Sequence, residues 1–213
     1  MESLTCRLEM PGWRLAFAWL EQSGEAAPAR RAAVFAEEED RFRARLAGRD
    51  LAADSMVAAL RELFKQAGTS PSKYRPSSEA LGRRVLKGEG LLRIHPLVDL
   101  NNLLSLATLT PCCVMRPGSV EPPLALRRGG AGETIHGLRG TLNLEGKPVL
   151  ADVRGPFGTP ITDDHRVVVQ PEDRAALLVA YVPAAVPVDI NAALRDLADR
   201  ISGIRVGPFW RFD

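Results

Sequence analysis

A chain of 213 residues, 46% hydrophobic and 25% charged, has the balance of a globular protein with a substantial core, which excludes a disordered polymer. Its formal net charge of +2 is too small to announce nucleic-acid binding from bulk electrostatics, so any RNA contact has to be local. Cys6, Cys112 and Cys113, a start that is neither basic nor strongly apolar, and the lack of any apolar run near the roughly 20 residues a bilayer demands lead us to expect a cytoplasmic protein with reduced thiols and no membrane partner.

Residues 4–9 and 14–20 read as extended segments around the turn dipeptide Pro11-Gly12. From about Pro28 to Leu46, Val34, Phe35, Phe42 and Leu46 recur at helical spacing among charged residues, and Gly48 ends the pattern. A second helix is predicted over 52–67, with Met56, Leu60, Leu63 and Phe64 on one stripe and Asp54 or Ser55 at its start. The polar stretch TSPSKYRPSS reads as a connector, after which Ser77 or Ser78 opens a third helix that Gly88 and Gly90 close. Pro96 sets the start of a mostly apolar helix interrupted by Asp99, Asn101 and Asn102.

After Pro111 the chain turns β in character, with short segments expected near 112–115, 123–127, 133–136, 148–152, 166–170 and 175–182. Ile190, Leu194, Leu197 and Ile201 then mark a helix that Asp189 caps, and GIRVGPFWRF returns as a last strand. Helices gather in the first half and strands in the second, so the fold class is α+β, one domain over 1–213. GGAGET and KGEGLL lack the strand-loop-helix context of a dinucleotide fingerprint, and the histidines show no metal-ligand spacing. No cofactor and no metal are expected.

The segment KYRPSSEALGRRVLKGEGLLRIHPLVDLNNLLSL, residues 73–106, resembles a motif of the B3/B4 family, the tRNA-binding and editing module of the phenylalanyl-tRNA synthetase β subunit. LALRRGGAGETIHGLRG, residues 124–140, and VLADVRGPFGTPITDDHRVVV, residues 149–169, resemble the family's later blocks in the same order. The resemblance implies a β-sandwich-like core with flanking helices, divided into a variable strand-helix part over 1–70, the motif blocks over 73–169 and a closing strand and helix over 170–213. It also implies a stand-alone protein that hydrolyses mischarged aminoacyl-tRNA in trans, with tRNA or aminoacyl-tRNA as partner and no DNA. A non-catalytic tRNA- or RNA-binding module and a pocket for a free amino acid are the alternatives.

Hydrolysing an activated ester needs a positioned water, an oriented substrate and donors at the carbonyl oxygen. The loop GPFGTPITDDHR over 155–166 is the candidate pocket mouth, with Asp163 as acceptor for water and Thr159 as its partner, and with Phe157, Gly158, Asp164 and His165 alongside. Asn101, Asn102 and the strand carrying Cys113 are expected opposite, and Asp99 is a further possibility on the same helix. The simpler readings are a turn for the Asp pair and a satisfied cap or buried amide for the asparagines. By family position Cys113 stands where the editing module carries a histidine, and Glu133 is either a pocket group or an exposed acid of a Gly-Glu turn. Lys73, Arg75, Arg83, Arg84 and Lys87 form the densest basic cluster, with Arg166 as another phosphate candidate; the same pattern also suits a solvated helix face.

Overall fold

The turn at Pro11-Gly12 links β1 (Cys6–Leu8) to β2 (Trp13–Gln22), with Gly12 at φ 82°, a conformation that L side chains disfavour. This computed structural model describes residues 4–24, 27–138 and 140–213. β2 is central, and Leu15, Phe17, Ala18 and Leu20 along it are fully buried. The helices follow their end signals. α1 (Pro28–Arg45) has Pro28 in its first turn, and α2 (Ser55–Gln66) begins where the Asp54 side chain accepts from the N–H of Met56. α3 (Ser77–Leu86) leads to α4 (Pro96–Thr108), which His95 caps by accepting from the N–H of Leu97. α5 (Ile190–Ile201) starts on Asp189, which accepts from the N–H of Ala192.

The second half supplies β3 (Cys112–Met115), β4 (Leu124–Arg128), β5 (Thr134–Gly137), β6 (Gly140–Asn143), β7 (Pro148–Asp152), β8 (Gly155–Gly158), β9 (Ala175–Pro183) and β10 (Ile204–Phe212). Two expectations need correction here. Residues 166–170 are not a strand: the Asp164 carboxylate accepts from the N–H of Arg166 and winds His165–Val167 into a short 3-10 turn. Gly155–Gly158, read from its glycines and prolines as loop, pairs with β7 as an edge strand, where proline's missing donor costs no ladder bond.

One four-stranded sheet runs β1-β4-β7-β8 and a second runs β10-β2-β9-β3, with β5-β6 as a separate hairpin. Only the β1–β4 pairing is parallel among the strand pairs described. In the second sheet Cys112 lies opposite Ala180 and Cys113 opposite Val179, so successive residues point to opposite faces. α4 and α5 cover one face, and α1 packs on α3, α4 and α5. Tyr181 points from the other face to β8 of the first sheet. One continuous apolar core joins Phe35 and Phe42 of α1, Phe64 of α2, the leucines of α4 and both sheets.

Gly82 sets how closely α3 approaches α1, because a Cβ there would lie 2.8 Å from the ring of Phe42 and 3.3 Å from Leu51. Alanine in a helix interior gains about 1 kcal/mol over glycine, whereas overpacking a filled core costs about 1–3 kcal/mol. Phe42 and Leu51 are both buried and have little room to move, so the clash wins. Gly82→Ala is expected to lose about 1–2 kcal/mol in chemical denaturation with an unchanged slope; a gain in stability would show that the helices are not held this closely.

Candidate functional site

The loop after β8 is organised by its own hydrogen bonds. Thr159 is buried; its hydroxyl accepts from the N–H of Ile161 and of Thr162, both at 3.0 Å, and donates to the carbonyl of Thr162 at 2.9 Å. That uses the hydroxyl within the turn, so Thr159 holds the loop and does not face a substrate. The Pro160 carbonyl accepts from the N–H of Ser77 at 2.9 Å, which ties this loop to the start of α3. Asp164 accepts from the N–H of His136 and of Arg166, each at 2.9 Å, and His165 is exposed. Phe157 is buried under the guanidinium of Arg166, 5.1 Å from the ring centre.

Arg166 is not free for phosphate. It bonds both oxygens of Asp152, at 3.1 and 2.9 Å, and the carbonyls of Ser119 and Gly155. Burial alone would raise Asp152, but Arg166 and the N–H groups of Glu121 and Arg154 outweigh it and hold the carboxyl below its usual range. The result is an anchor that pins β7, β8 and the 3-10 turn.

Asp163 is a carboxyl held in an unusual state. A Cβ added at Gly158 would lie 2.9 Å from Asp163 Oδ1 and 3.1 Å from the Tyr181 hydroxyl, so the two polar atoms converge over that glycine. Asp163 Oδ1 and the Tyr181 hydroxyl oxygen are each enclosed with no hydrogen-bond partner of their own among the described residues. Burial pushes Asp163 up to about 7, against smaller opposing contributions from the Cys113 thiol and the Thr159 N–H. Burial also raises the Cys113 thiol and the Tyr181 hydroxyl far above their ordinary values, with Asp163 adding to both, and raises Cys112 to about 12. Burial thus disfavours the thiolate form at both cysteines.

The structure joins Asp163 to Cys113 but not to the asparagines. Cys112, whose N–H donates to Ser105 Oγ at 3.1 Å, faces α4; Cys113 lies on the opposite face of the sheet. Asn101 and Asn102 sit on α4, where Asn101 donates to Asn102 Oδ1 at 3.3 Å. The expected pocket between these two sets of residues is therefore corrected: a sheet separates them. Asp99 is buried, accepts from the N–H of Ile94 at 2.8 Å and lies 3.3 Å from Arg31 of α1. Glu133 takes both nitrogens of Arg127, at 2.8 and 2.6 Å, and this pairing, with the N–H of Gly130, lowers it to about 2. It is a clasp between β4 and β5, not a pocket acid.

The basic cluster has an inner organisation that spacing did not reveal. Glu79 is fully buried, and Arg61, Arg83 and Arg75 reach its Oε1 at 2.7, 2.8 and 3.3 Å. Burial would raise Glu79, but Arg61 and Arg83 outweigh it and keep the carboxylate ionised. Three guanidinium groups face this carboxylate, with Asp50 as a further acid in the field of Arg61. Beside them, Lys73 and Lys147 lie 5.3 and 4.1 Å from the ring centre of Tyr74. Arg84 departs from the cluster, donating to the Gly90 carbonyl and pairing with Glu89. Lys87 is exposed just past the end of α3. Arg61, Tyr74 and Lys147 escaped the sequence reading because they come from separate elements that meet only after folding.

The layout is that of an α+β domain of two facing sheets with helices on the far side of one of them. The sequence profile of the B3/4 domain matches residues 59–198, and the chain belongs to that family. Among solved structures it is similar to an N-terminal fragment of the phenylalanyl-tRNA synthetase β-subunit from Pyrococcus horikoshii, with 12% identity over 79% of this chain and 73% of that one and a TM-score of 0.43. No curated protein matches the chain. Among the described residues no helix is long and apolar enough to cross a membrane, and no three His, Cys, Asp or Glu side chains are grouped to hold a metal ion.

Asp163 makes stability depend on pH. Its folded value of about 7 exceeds the ordinary 3.8, so the native state holds a proton that the unfolded chain releases between these values. The stabilisation is complete below pH 4 and is lost as pH rises through about 7, by at most about 4 kcal/mol for a shift of this size. Asp163→Asn is expected to be less pH-sensitive than the wild type between pH 5 and pH 8.5 and more stable than it at the upper end. Equal pH profiles in chemical denaturation would contradict a protonated Asp163.

Proposed function

We propose that this protein binds tRNA through the face formed by α3, the connector before it and the edge of α2. The observation that carries the reading is the cluster of Arg61, Arg75 and Arg83 on buried Glu79. A guanidinium held by a buried carboxylate loses little freedom when it also meets a phosphate, and the side chains of Arg75 and Arg83 remain 40% and 37% exposed. Lys73, with Tyr74 at its side, and Lys87 extend the same positive face. Membership of the B3/4 family, whose motif blocks resemble the tRNA-binding module of a synthetase β subunit, supports RNA as the polyanion.

The second reading is hydrolysis of mischarged aminoacyl-tRNA in trans, and one observation favours it. A carboxyl at about 7 is matched to proton transfer near neutral pH, and Asp163 is such a group. Against it, the Thr159 hydroxyl is committed to its turn, and Oδ1 of the half-buried Asp163 is enclosed near the Tyr181 hydroxyl. Binding without turnover is the reading these contacts support best.

Binding and turnover are separated by measuring both on one panel of tRNAs, uncharged and charged with correct and incorrect amino acids. We expect binding to all of them and no release of amino acid above the spontaneous rate. Arg75→Ala combined with Arg83→Ala should weaken binding roughly tenfold across tRNA sequences and reduce the salt slope by about 1 to 2. Unchanged affinity and slope would remove the cluster from the interface, whereas accelerated release that Asp163→Asn abolishes would establish the hydrolytic reading.

A further inference from the structure

A groove of about 550 Å³ opens at the edge of the second sheet, on the face that α5 covers. Its floor is Ala16 of β2, its sides are Phe209 and Arg211 of β10 with Arg14 of β2, and its rim is the segment carrying Val188 and Ile190 into α5. The register explains the space. Arg211 pairs with Ala16 and Phe209 with Ala18, so two alanines stand where larger residues would have filled the sheet face beneath α5. None of these residues belongs to the 155–166 loop or to the cluster around Glu79.

Arg14 is what gives the groove chemical character. Its Nη2 donates to the carbonyls of Val186 and Pro183, at 2.8 and 3.4 Å, which fixes the guanidinium plane. Its Nε is buried without a partner, and no carboxylate lies within ion-pair distance of it among the described residues. Arg211 bonds Asp213 and is the second cation of the lining, while the acid on the rim, Asp189, is occupied in capping α5. A partly buried guanidinium without a counter-ion, fixed in orientation beside apolar walls, calls for a planar anion with an apolar body.

We propose that this groove is a binding site for a small carboxylate with an aromatic or branched apolar body, the carboxylate meeting Arg14 and the body lying against Phe209, Val188 and Ile190. The neighbouring first turn of α5 adds the positive end of a helix dipole on the same side. Such a head group is offered either by a free metabolite or by the C-terminus of a peptide.

Calorimetric titration with 3-phenylpropionate, its amide and 3-phenylpropylamine tests the site on the full chain. The carboxylate is expected to bind, and the amide and the amine at least ten times more weakly. Arg14→Gln should lower carboxylate affinity about tenfold. Val188→Trp, at a partly exposed position, should block binding by filling the groove, and it keeps the test decisive if Arg14→Gln fails to fold. A short peptide ending in phenylalanine and its amidated form identify the source of the head group: binding of the free acid peptide in preference to the small molecule assigns a chain terminus. Absence of carboxylate binding by the wild type, equal binding of the amide, or undiminished binding by Val188→Trp would overturn the proposal.

Discussion

The alternation of β3 and β9 is the constraint on which the rest of the molecule depends. Every residue of β9 beyond the first is buried, with α2 and α4 packed against the strand and Tyr181 reaching the first sheet at Gly158. A strand buried on both faces transmits its period of two to everything beside it. Cys112 therefore goes to the helices and Cys113 to the space between the sheets, and the same rule sends Tyr181 towards Gly158. Asn101 and Asp163 lie in the first and the last of the family blocks, yet on opposite sides of this layer.

The space between the sheets contains an unusual set of polar groups for so apolar a place. Asp163, Cys113 and Tyr181 are each shifted towards the neutral form by burial, and neutrality makes the arrangement tolerable where an isolated carboxylate would not be. Glycine at 158 is a steric requirement of that arrangement, since a methyl group there would meet both oxygens. By contrast, two other acids of the region are paired and held below their usual range, Asp152 with Arg166 and Glu133 with Arg127. The loop is thus a structural clasp around one carboxyl that burial shifts towards its protonated form.

Much of the fold was legible in the sequence because it follows from local rules. Pro28, Asp54, Pro96 and Asp189 stand at helix starts, and the apolar stripes of α2 and α5 fall at the spacing a packed helix needs. The short strand Gly155–Gly158 was not legible, since its glycines and proline carry turn signals and only pairing with β7 makes it extended. The candidate site was less legible for a related reason. Polar loop residues advertise chemistry and turn-making alike, and only the hydrogen bonds of Thr159 and Asp164 tell the two apart. Arg61 looked like an ordinary charged position on α2; its role depends on Glu79, eighteen positions away and brought to it by folding.

The basic face is the part of the account on which function rests. Its cations are held by a buried acid instead of moving freely in solvent, so RNA binding should protect this surface without rearranging it. Amide hydrogen exchange with and without uncharged tRNA reports this most directly. The account predicts added protection over residues 70–87 and the edge of α2, with the 155–166 loop unchanged apart from its tie to Ser77. Protection confined to the 155–166 loop, or none at saturating tRNA, would contradict it.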